Sequence, residues 1–318
     1  MSDPSGLPYP FDPEVGEFAA LLYSMPEPTD VPSQRAAIET FIAMMLAPEL
    51  DGLDVSDRQV PGRDGGPAVA VRVYAPVERT GAAPGILYLH GGGFTVGSLD
   101  SEHAIAARMA RALGVVLVSV DYRLAPEHPF PAGLEDCYTA LAWLHAEADA
   151  LGVDRSRIAV HGGSAGGGLA AALALLARDR GGPGLCFQYL GIPELDDRLE
   201  TPSMQRFVDT PAWSRPLAVQ SWAHYLGDHE GPVSPYAAPA RATDLVGLPP
   251  AYVSVYEFDP LRDEGIEYAA RMLAAGVSVE LHCFPGAFHG SSVVATAAVH
   301  QREAAERIAV WRRALVLG

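Results

Sequence analysis

The most conspicuous gap in this 318-residue chain is lysine, because all 22 of its basic residues are arginine. Without lysine the chain has neither a Schiff-base lysine nor a P-loop lysine, which excludes pyridoxal chemistry and phosphoryl transfer by that route. Cysteine is also scarce: the three cysteines are odd in number and far apart. This pattern indicates reduced thiols and not a disulfide framework.

Long apolar runs are missing as well. No stretch approaches the roughly 20 apolar residues that a membrane helix requires, and the acidic, proline-rich start lacks the features of a secretion signal. We therefore expect a cytoplasmic protein with no membrane span. The net charge of −17 disfavours nucleic acid as a partner and anionic polymers as substrates.

From residue 55 onward, apolar strand-like runs alternate with helical patterns. The predicted strands are Val55–Pro61, Ala68–Ala75, Gly85–Leu89, Val115–Val120, Arg157–Val160, Leu185–Leu190, Ala251–Tyr256 and Val277–Phe284. The predicted helices are Glu14–Tyr23, Gln34–Leu46, Ser101–Leu113, Leu134–Leu151, Ser164–Arg178, Arg262–Ala275 and Thr296–Leu315. Near-continuous apolar strands between helices predict an α/β protein with a mostly parallel sheet covered on both faces. The stretch 194–248 breaks the alternation and predicts an insertion of short helices.

A glycine-rich segment, HGGSAGGG, follows a predicted strand and opens a predicted helix. Within it, residues 162–166 fit the pattern G-x-S-x-G in the strand–turn–helix setting that a nucleophile elbow requires. An ordinary glycine-rich turn is the plainer explanation of the pentapeptide taken alone. The dinucleotide-binding pattern G-x-G-x-x-G fits no register here, so we do not expect a nucleotide cofactor.

Two further residues complete a predicted catalytic triad with Ser164. Asp259 and His289 follow successive predicted strands, at the sheet edge where open α/β proteins place their sites. A serine nucleophile needs a base, and the base needs an orienting acid, here in the chain order Ser, Asp, His. Taken alone, the aspartate also suits a helix cap and the histidine an ordinary loop. Glu257 is the nearest rival for the acid, and Asp263 is a second.

The segment HGGG at 90–93, directly after the third predicted strand, suits the binding of an oxyanion. When a serine attacks an ester, the carbonyl oxygen becomes negative and needs preorganised N–H donors. Glycine allows backbone N–H groups to approach that oxygen without obstruction by a side chain. We assign the oxyanion hole to the N–H groups of Gly92, Gly93 and Ala165.

Three other reactive side chains lie close to these motifs. His90 and His161 adjoin the two glycine-rich segments, and we expect them to hold loop backbone through hydrogen bonds. Cys283 lies near the predicted base, but its place at a strand end predicts a buried packing residue.

Taken in order, the motifs HGGGF, DYRLAPEHPFP, GGSAGG, DPLRDEG and FHG resemble the hormone-sensitive-lipase family of esterases, a branch of the α/β-hydrolases. The resemblance covers roughly residues 55–318, and IPELDDRLETPSM with GVSVELHCFPGAFHG resembles a closer bacterial group that includes heroin esterase. It implies the α/β-hydrolase fold with eight strands and a carboxylesterase without cofactor or metal that acts on short-chain, often acetyl, esters. Gly163 departs from the family, which usually has Asp or Thr there, and this puts in doubt a hydrogen bond that supports the elbow.

The resemblance also implies a helical cap, formed by residues 1–50 and 194–248, over a catalytic domain of 51–193 and 249–318. Bulky cap residues are expected to line the pocket over the serine and to limit acyl length to about butyryl. Packing within the cap's own small core is the plainer explanation for each residue alone. The candidate pocket residues are Phe94, Phe207, Trp213, Leu217, Trp222 and Tyr225, with Phe41, Met44 and Met45 from the N-terminal segment.

Other functions stay open at this point. An amidase or acyltransferase would use the same acyl-enzyme and differ only in what accepts the acyl group. Plant gibberellin receptors resemble this family but lack its catalytic histidine, so the presence of all three triad residues disfavours a binding protein. The expected ligand is a small neutral ester, and the resemblance adds a homodimer through the edge of the last strand or the closing helix.

Overall fold

The computed structural model describes residues 6–25, 28, 30–44 and 48–316, with the backbone alone for 41–44. An eight-stranded sheet runs through the centre of the molecule. Its strands are β1 (Leu53–Val60), β2 (Val69–Pro76), β3 (Ala83–Leu89), β4 (Val116–Asp121), β5 (Val153–Gly163), β6 (Gln188–Gly191), β7 (Ala251–Phe258) and β8 (Val279–Phe288). Their order is β1-β2-β4-β3-β5-β6-β7-β8; β2 is antiparallel to both of its neighbours, β1 and β4, and all other neighbouring strands are parallel. This confirms the predicted α/β fold.

Helices cover both faces of the sheet. They are α1 (Pro13–Ser24), α2 (Val31–Met44), α3 (His103–Leu113), α4 (Ala132–Ala146), α5 (Ala148–Leu151), α6 (Ala165–Asp179), α7 (Pro202–Arg206), α8 (Arg215–Leu226), α9 (Arg262–Ala274) and α10 (Ala298–Ala314). One core cluster lies between the sheet and helices α4, α6 and α9, and a second lies between the sheet and helices α3 and α10. No described helix is long and apolar enough to cross a bilayer.

Two deeply buried elements show why the composition produces this layering. All five residues from Val116 to Val120 are buried, so β4 has no polar alternation because both of its faces are covered. Helix α6, which begins directly after the candidate nucleophile, is buried from Ala165 through Ala177. Its many alanines let it lie close against the sheet, which fixes the position of its first turn.

Most element boundaries differ from prediction by a few residues, and three of the differences are informative. Strand β5 begins at Val153 and ends at Gly163, and the predicted helix 134–151 divides into α4 and α5. Strand β8 continues past Pro285 to Phe288 instead of ending at Phe284, because it is an edge strand, where proline is tolerated. The predicted burial of Cys283 is therefore wrong: the residue lies within this edge strand and is exposed.

The N-terminal segment and the insertion lie near the end of β8. Phe11 and Val15 pack with Phe207 of the insertion and with Phe258 and Phe288, which end β7 and β8. We call this group the N-terminal aromatic cluster. It joins the start of the chain to the strand end that precedes His289.

Candidate active site

Ser164 occupies the turn between β5 and α6. Its backbone has φ 56° and ψ −124°, a strained conformation for a residue with a side chain. The flanking glycines make this turn possible, because a Cβ at Gly162 would clash with the carbonyl of Gly166, and one at Gly166 with the carbonyl of Leu89. The N–H of Ser164 donates to the carbonyl of Gly191 at 2.8 Å. The turn therefore has the geometry of a nucleophile elbow.

The structure brings the three predicted triad residues together. The hydroxyl of Ser164 lies 3.0 Å from Nε2 of His289, and Nδ1 of His289 lies 2.8 Å from Oδ2 of Asp259. Asp259 is fully buried, and its other oxygen accepts the N–H of Leu261 at 2.9 Å. With Nδ1–H donated to the carboxylate, Nε2 is free to accept the serine proton, which is the arrangement that a general base requires.

The two rival acids have other partners. Glu257 accepts the N–H of Gly286 at 2.8 Å, which ties the end of β7 to β8. Asp263 accepts the N–H of Ser203 at 2.7 Å, at the start of helix α7. Both carboxylates therefore hold backbone N–H groups of other elements, and the carboxylate hydrogen-bonded to His289 is that of Asp259.

The segment 90–93, which we call the oxyanion loop, adopts conformations that favour glycine. Gly92 has φ 118° and Gly93 has φ 53°, and the N–H groups of both have no acceptor among the described residues. A Cβ at Gly93 would come within 2.9 Å of the ring of Trp213. Ser221 of helix α8 donates its hydroxyl to the carbonyl of Gly93 at 3.0 Å and so holds this turn.

The oxyanion loop adjoins the elbow. A Cβ at Gly91 would lie 3.0 Å from the carbonyl oxygen of Gly163 and 3.5 Å from Cβ of Ser164. Ala165 is the first residue of α6, so its N–H belongs to the positive end of a helix dipole. The two predicted sources of N–H donors thus lie next to each other beside the serine.

The two histidines of the glycine-rich segments behave differently. His90 donates Nδ1–H to the carbonyl of Gly91 at 2.8 Å, and Tyr122 donates its hydroxyl to the carbonyl of His90 at 2.7 Å. Burial lowers the pKa of His90 to about 4, so the ring stays neutral. This confirms its predicted role in holding the loop. His161 instead stacks between two tyrosine rings, and its Nδ1 has no hydrogen-bond partner among the described residues.

Several predicted pocket residues lie against the oxyanion loop and the base. The ring of Trp213 is 5.6 Å from that of His289 and also abuts Gly93. Phe94 stacks on Tyr225 at 3.9 Å and lies 5.6 Å from Trp222. These aromatic side chains of the insertion therefore cover the loop that follows β3.

The other predicted pocket residues are placed differently. Phe207 is almost fully buried in the N-terminal aromatic cluster, and Leu217 is half-buried on α8. Met45 and the side chains of Phe41 and Met44 lie outside the described residues. Two surface clefts, of about 410 and 310 Å³, are lined by none of the triad residues and form no part of this site.

The sequence analysis quoted Glu194 within IPELDDRLETPSM but gave it no role. Its N–H donates to the carbonyl of Ser164 at 3.1 Å, and its side chain is fully buried. Burial raises the pKa of its carboxyl to about 8, and the charge of nearby Asp259 acts in the same direction. A buried carboxyl group with a raised pKa therefore belongs to a residue whose backbone is hydrogen-bonded to that of the nucleophile.

A second chain of serine, histidine and carboxylate holds the loop after His289. Ser291 Oγ lies 2.9 Å from Nε2 of His300, and Nδ1 of His300 lies 2.9 Å from Glu303. Tyr256 donates its hydroxyl to the same carboxylate at 2.8 Å. We call Ser291, His300 and Glu303 the inner chain. Ser291 is fully buried and also accepts a backbone N–H at 3.2 Å, so the inner chain ties α10 to the loop that carries the base.

Gly163, the departure from the family pattern, leaves room for a side chain. A Cβ at this position would meet no atom within 4 Å, and its φ lies outside the left-handed region. The elbow therefore does not require glycine here on steric grounds.

Comparison with known proteins shows that the chain is similar to esterases. Residues 86–292 match a family described as having the alpha/beta hydrolase fold. The carboxylesterase NlhH of Mycobacterium tuberculosis is 44% identical over 276 residues, 85% of each chain. An arylesterase of Saccharolobus solfataricus is 34% identical over 84% of this chain and 88% of its own. The structure of a bacterial heroin esterase, 53% identical, superposes with a TM-score of 0.92 over 96% of this chain and 98% of its own.

Proposed function

Because this chain belongs to the alpha/beta hydrolase family, in its hormone-sensitive-lipase-like branch, we propose that it is a serine carboxylesterase that forms an acyl-enzyme on Ser164. The observation that carries the proposal is the hydrogen-bonded series Ser164–His289–Asp259, with distances of 3.0 and 2.8 Å. The names of the relatives support ester hydrolysis as the reaction class. The mechanism and the acyl preference are our inference.

In the proposed acylation step, Ser164 Oγ attacks the ester carbonyl carbon while Nε2 of His289 accepts the hydroxyl proton. Asp259 holds the ring in the required tautomer and stabilises the imidazolium that forms. The carbonyl oxygen becomes an oxyanion, which the N–H groups of Gly92 and Gly93 are suited to bind because they have no other acceptor among the described residues.

The N–H of Ala165 is the third proposed donor to this oxyanion. Collapse of the tetrahedral intermediate breaks the bond to the alcohol, which leaves with the proton from His289. Water then attacks the acyl group on Ser164 with His289 again as base. This second step releases the carboxylic acid and restores the serine hydroxyl.

We propose that residues 1–50 and 194–248 form a cap over a catalytic domain of 51–193 and 249–318. Trp213 supports this, since its ring lies 5.6 Å from His289 and against Gly93. A bulky ring in this position would meet the acyl chain of a bound ester. Longer chains would then force strained packing that costs about 1–3 kcal/mol, so acetyl to butyryl esters should be preferred.

A panel of p-nitrophenyl esters from C2 to C10, with the matching amides, tests both parts of this proposal. We expect kcat/KM to be highest from C2 to C4 and far lower by C8, with much slower hydrolysis of the amides. A kcat/KM that rises from C4 through C10 would contradict a closed pocket. Faster turnover of the amides would instead indicate an amidase. If neither esters nor amides were hydrolysed, the proposal that the chain is a hydrolase would be wrong.

Trp213→Ala sharpens the test of acyl length. If this ring limits the length of the acyl chain, its removal should raise kcat/KM for the C8 ester relative to the C4 ester. Phe207→Leu is the matched control, since Phe207 packs in the N-terminal aromatic cluster and its change should leave that ratio unaltered. An unchanged ratio in Trp213→Ala would contradict the proposed role of this ring.

A further inference from the structure

The carbonyl of Gly93 in the oxyanion loop is held by a hydroxyl group from the insertion. Ser221 of helix α8 is buried and donates to the carbonyl of Gly93 at 3.0 Å. A hydroxyl group has one proton to donate and two lone pairs to accept with. The bond to Gly93 therefore depends on Ser221 having no stronger acceptor to which it can turn.

Such an acceptor lies next to Ser221. The carboxyl group of Glu194 is fully buried, and the Ser221 hydroxyl lies beside it. Neither carboxyl oxygen has a hydrogen-bond partner of normal geometry among the described residues. A buried polar group in this condition calls for an explanation, because an unmet hydrogen bond in the interior is costly. The backbone N–H of Glu194 donates to the carbonyl of Ser164. Glu194 therefore lies between the turn that carries the nucleophile and Ser221, which holds the oxyanion loop.

We propose that Glu194 is a positioning residue for the ester hydrolysis proposed above, acting on the oxyanion loop through Ser221. In its neutral form the carboxyl O–H donates to Ser221 Oγ, which leaves the Ser221 hydroxyl directed at Gly93. In its ionised form the carboxylate accepts the Ser221 hydroxyl, and the carbonyl of Gly93 loses its support. The ionised form also adds a negative charge close to the place where the oxyanion develops.

Burial is the main reason why the neutral form prevails near pH 7, since it raises the pKa of Glu194 to about 8. Asp259 raises this pKa further, and the Ser221 hydroxyl lowers it. Tyr225 of α8 and Tyr122 after β4 also face the carboxyl, and burial raises the pKa of both phenols well above the usual range, so they stay neutral. The loss of activity should therefore begin near pH 8.

Glu264 of α9 is the other buried carboxyl close to Glu194, and burial raises its pKa as well. It serves a different backbone segment, because Oε1 of Glu264 accepts the N–H of Leu195 at 2.5 Å and that of Asp196 at 3.3 Å. Glu264→Gln is thus the matched control: it removes the ionisable proton of a neighbouring buried carboxyl that holds the backbone of Leu195 and Asp196.

The test is the pH profile of kcat for p-nitrophenyl acetate between pH 6 and 10, corrected for spontaneous hydrolysis. We expect kcat of the wild type to fall about tenfold per pH unit above the midpoint, with little change in KM. Glu194→Gln, whose side-chain amide can still donate to Ser221, should keep the kcat of the wild type at pH 7 and lack this fall. Glu264→Gln should retain the fall.

An alkaline fall that is the same in Glu194→Gln and in the wild type would overturn the proposal, as would a wild type with no fall. Either result would leave the esterase intact, whereas a wild type that hydrolyses no ester at pH 7 would overturn the proposed function as well. Should Glu194→Gln fail to fold, Ser221→Ala serves instead. It should lower kcat at pH 7 with KM unchanged and flatten the alkaline fall, and a profile like that of the wild type would contradict the proposal.

Thermal unfolding gives a readout that does not depend on activity. The pKa of Glu194 is about 8 in the folded protein, against about 4.3 for an unfolded chain. A raised pKa contributes stability below the unfolded value, and this contribution is lost as the pH rises through about 8. The Tm of the wild type should therefore fall more between pH 6 and pH 9 than that of Glu194→Gln, and equal falls would contradict a buried neutral carboxyl.

Discussion

The molecule contains two hydrogen-bonded series of serine, histidine and carboxylate. They come close in sequence, because His289 of the first is two positions before Ser291 of the second. The first joins Ser164 to His289 at 3.0 Å and His289 to an aspartate at 2.8 Å. The inner chain joins Ser291 to His300 at 2.9 Å and His300 to a glutamate at 2.9 Å. The residue types and distances are nearly the same in both chains, so neither feature distinguishes a catalytic triad from a structural network.

The surroundings of the two serines distinguish them in three ways. Ser164 lies in a strained turn at the start of a helix and is 8% exposed, whereas Ser291 is fully buried. The first serine adjoins glycines whose N–H groups are unbound in the part of the chain that the structure describes. The second serine already accepts the N–H of Phe288. Catalysis requires a serine that substrate can reach and free N–H donors for an oxyanion. The serine of the inner chain is out of reach of substrate, and the inner chain instead holds α10 against the loop after β8.

Replacing the two serines should give the largest contrast. Ser164→Ala removes the nucleophile, and loss of a triad serine lowers kcat by about 10⁶. Ser291→Ala should leave the chemistry in place and reduce stability, by about 1–3 kcal/mol if it leaves Nε2 of His300 without a hydrogen-bond partner. Steady-state assays of ester hydrolysis measure the change in kcat, and urea unfolding of both variants measures the change in stability. A loss of activity in Ser291→Ala that equals the loss in Ser164→Ala would contradict this division.

The two acids should differ in the same way. Asp259→Asn leaves the histidine in the wrong tautomer and should lower kcat by about 10⁴ with the fold retained. Glu303→Gln alters the inner chain and should act mainly on Tm. Glu257→Gln is a further control, because this carboxylate accepts the N–H of Gly286 and should affect kcat far less. A larger kcat effect from Glu257→Gln than from Asp259→Asn would show that the acid is misassigned.

The oxyanion loop offers a third contrast, now between two glycines beside the first chain. Gly93→Ala places a Cβ within 2.9 Å of Trp213 at a φ of 53°, so the loop must shift. We expect a loss of about 10²–10³ in kcat, the size of losing one oxyanion donor. Gly163→Ala should be nearly neutral, since its Cβ would meet nothing within 4 Å. Similar kcat values for the two variants would contradict the assigned role of the loop.

The smallest effect on activity is expected at His300. His300→Phe keeps a ring of similar shape but removes one hydrogen bond each from Ser291 and Glu303, which should cost about 1–3 kcal/mol of unfolding free energy. The kcat should fall much less than in Asp259→Asn, because the inner chain touches no reacting atom. Urea unfolding and steady-state kinetics on the same preparation check both statements. A large kcat loss with unchanged stability would place His300 in the reaction itself.

The features that sequence predicted well are those that a local motif encodes. The elbow around Ser164 needs small residues at fixed positions, and the glycines of the oxyanion loop need φ values that other residues avoid, so both leave a readable pattern. Asp259 and His289 were found because parallel strands bring their carboxyl ends to one edge of the sheet. Sequence favoured Asp259 and left Glu257 open as a rival, and in the structure the carboxylate 2.8 Å from Nδ1 of His289 is that of Asp259.

The contacts that sequence did not predict join distant segments through single side chains. Ser221 reaches Gly93 across 128 positions, and the side chain of Glu194 is marked only by its burial. The inner chain was invisible because Ser291, His300 and Glu303 form no known motif. The end of β8 was misplaced because proline usually ends a strand, whereas an edge strand tolerates it.

Covalent labelling tests the central claim, that Ser164 is the acylated nucleophile, most directly. Treatment with an organophosphate, followed by digestion and mass spectrometry, should give one adduct per chain, on the peptide that contains Ser164. The adduct should be absent from Ser164→Ala and present in Ser291→Ala. An adduct on Ser291 or on any other residue, or labelling that persists in Ser164→Ala, would contradict the account.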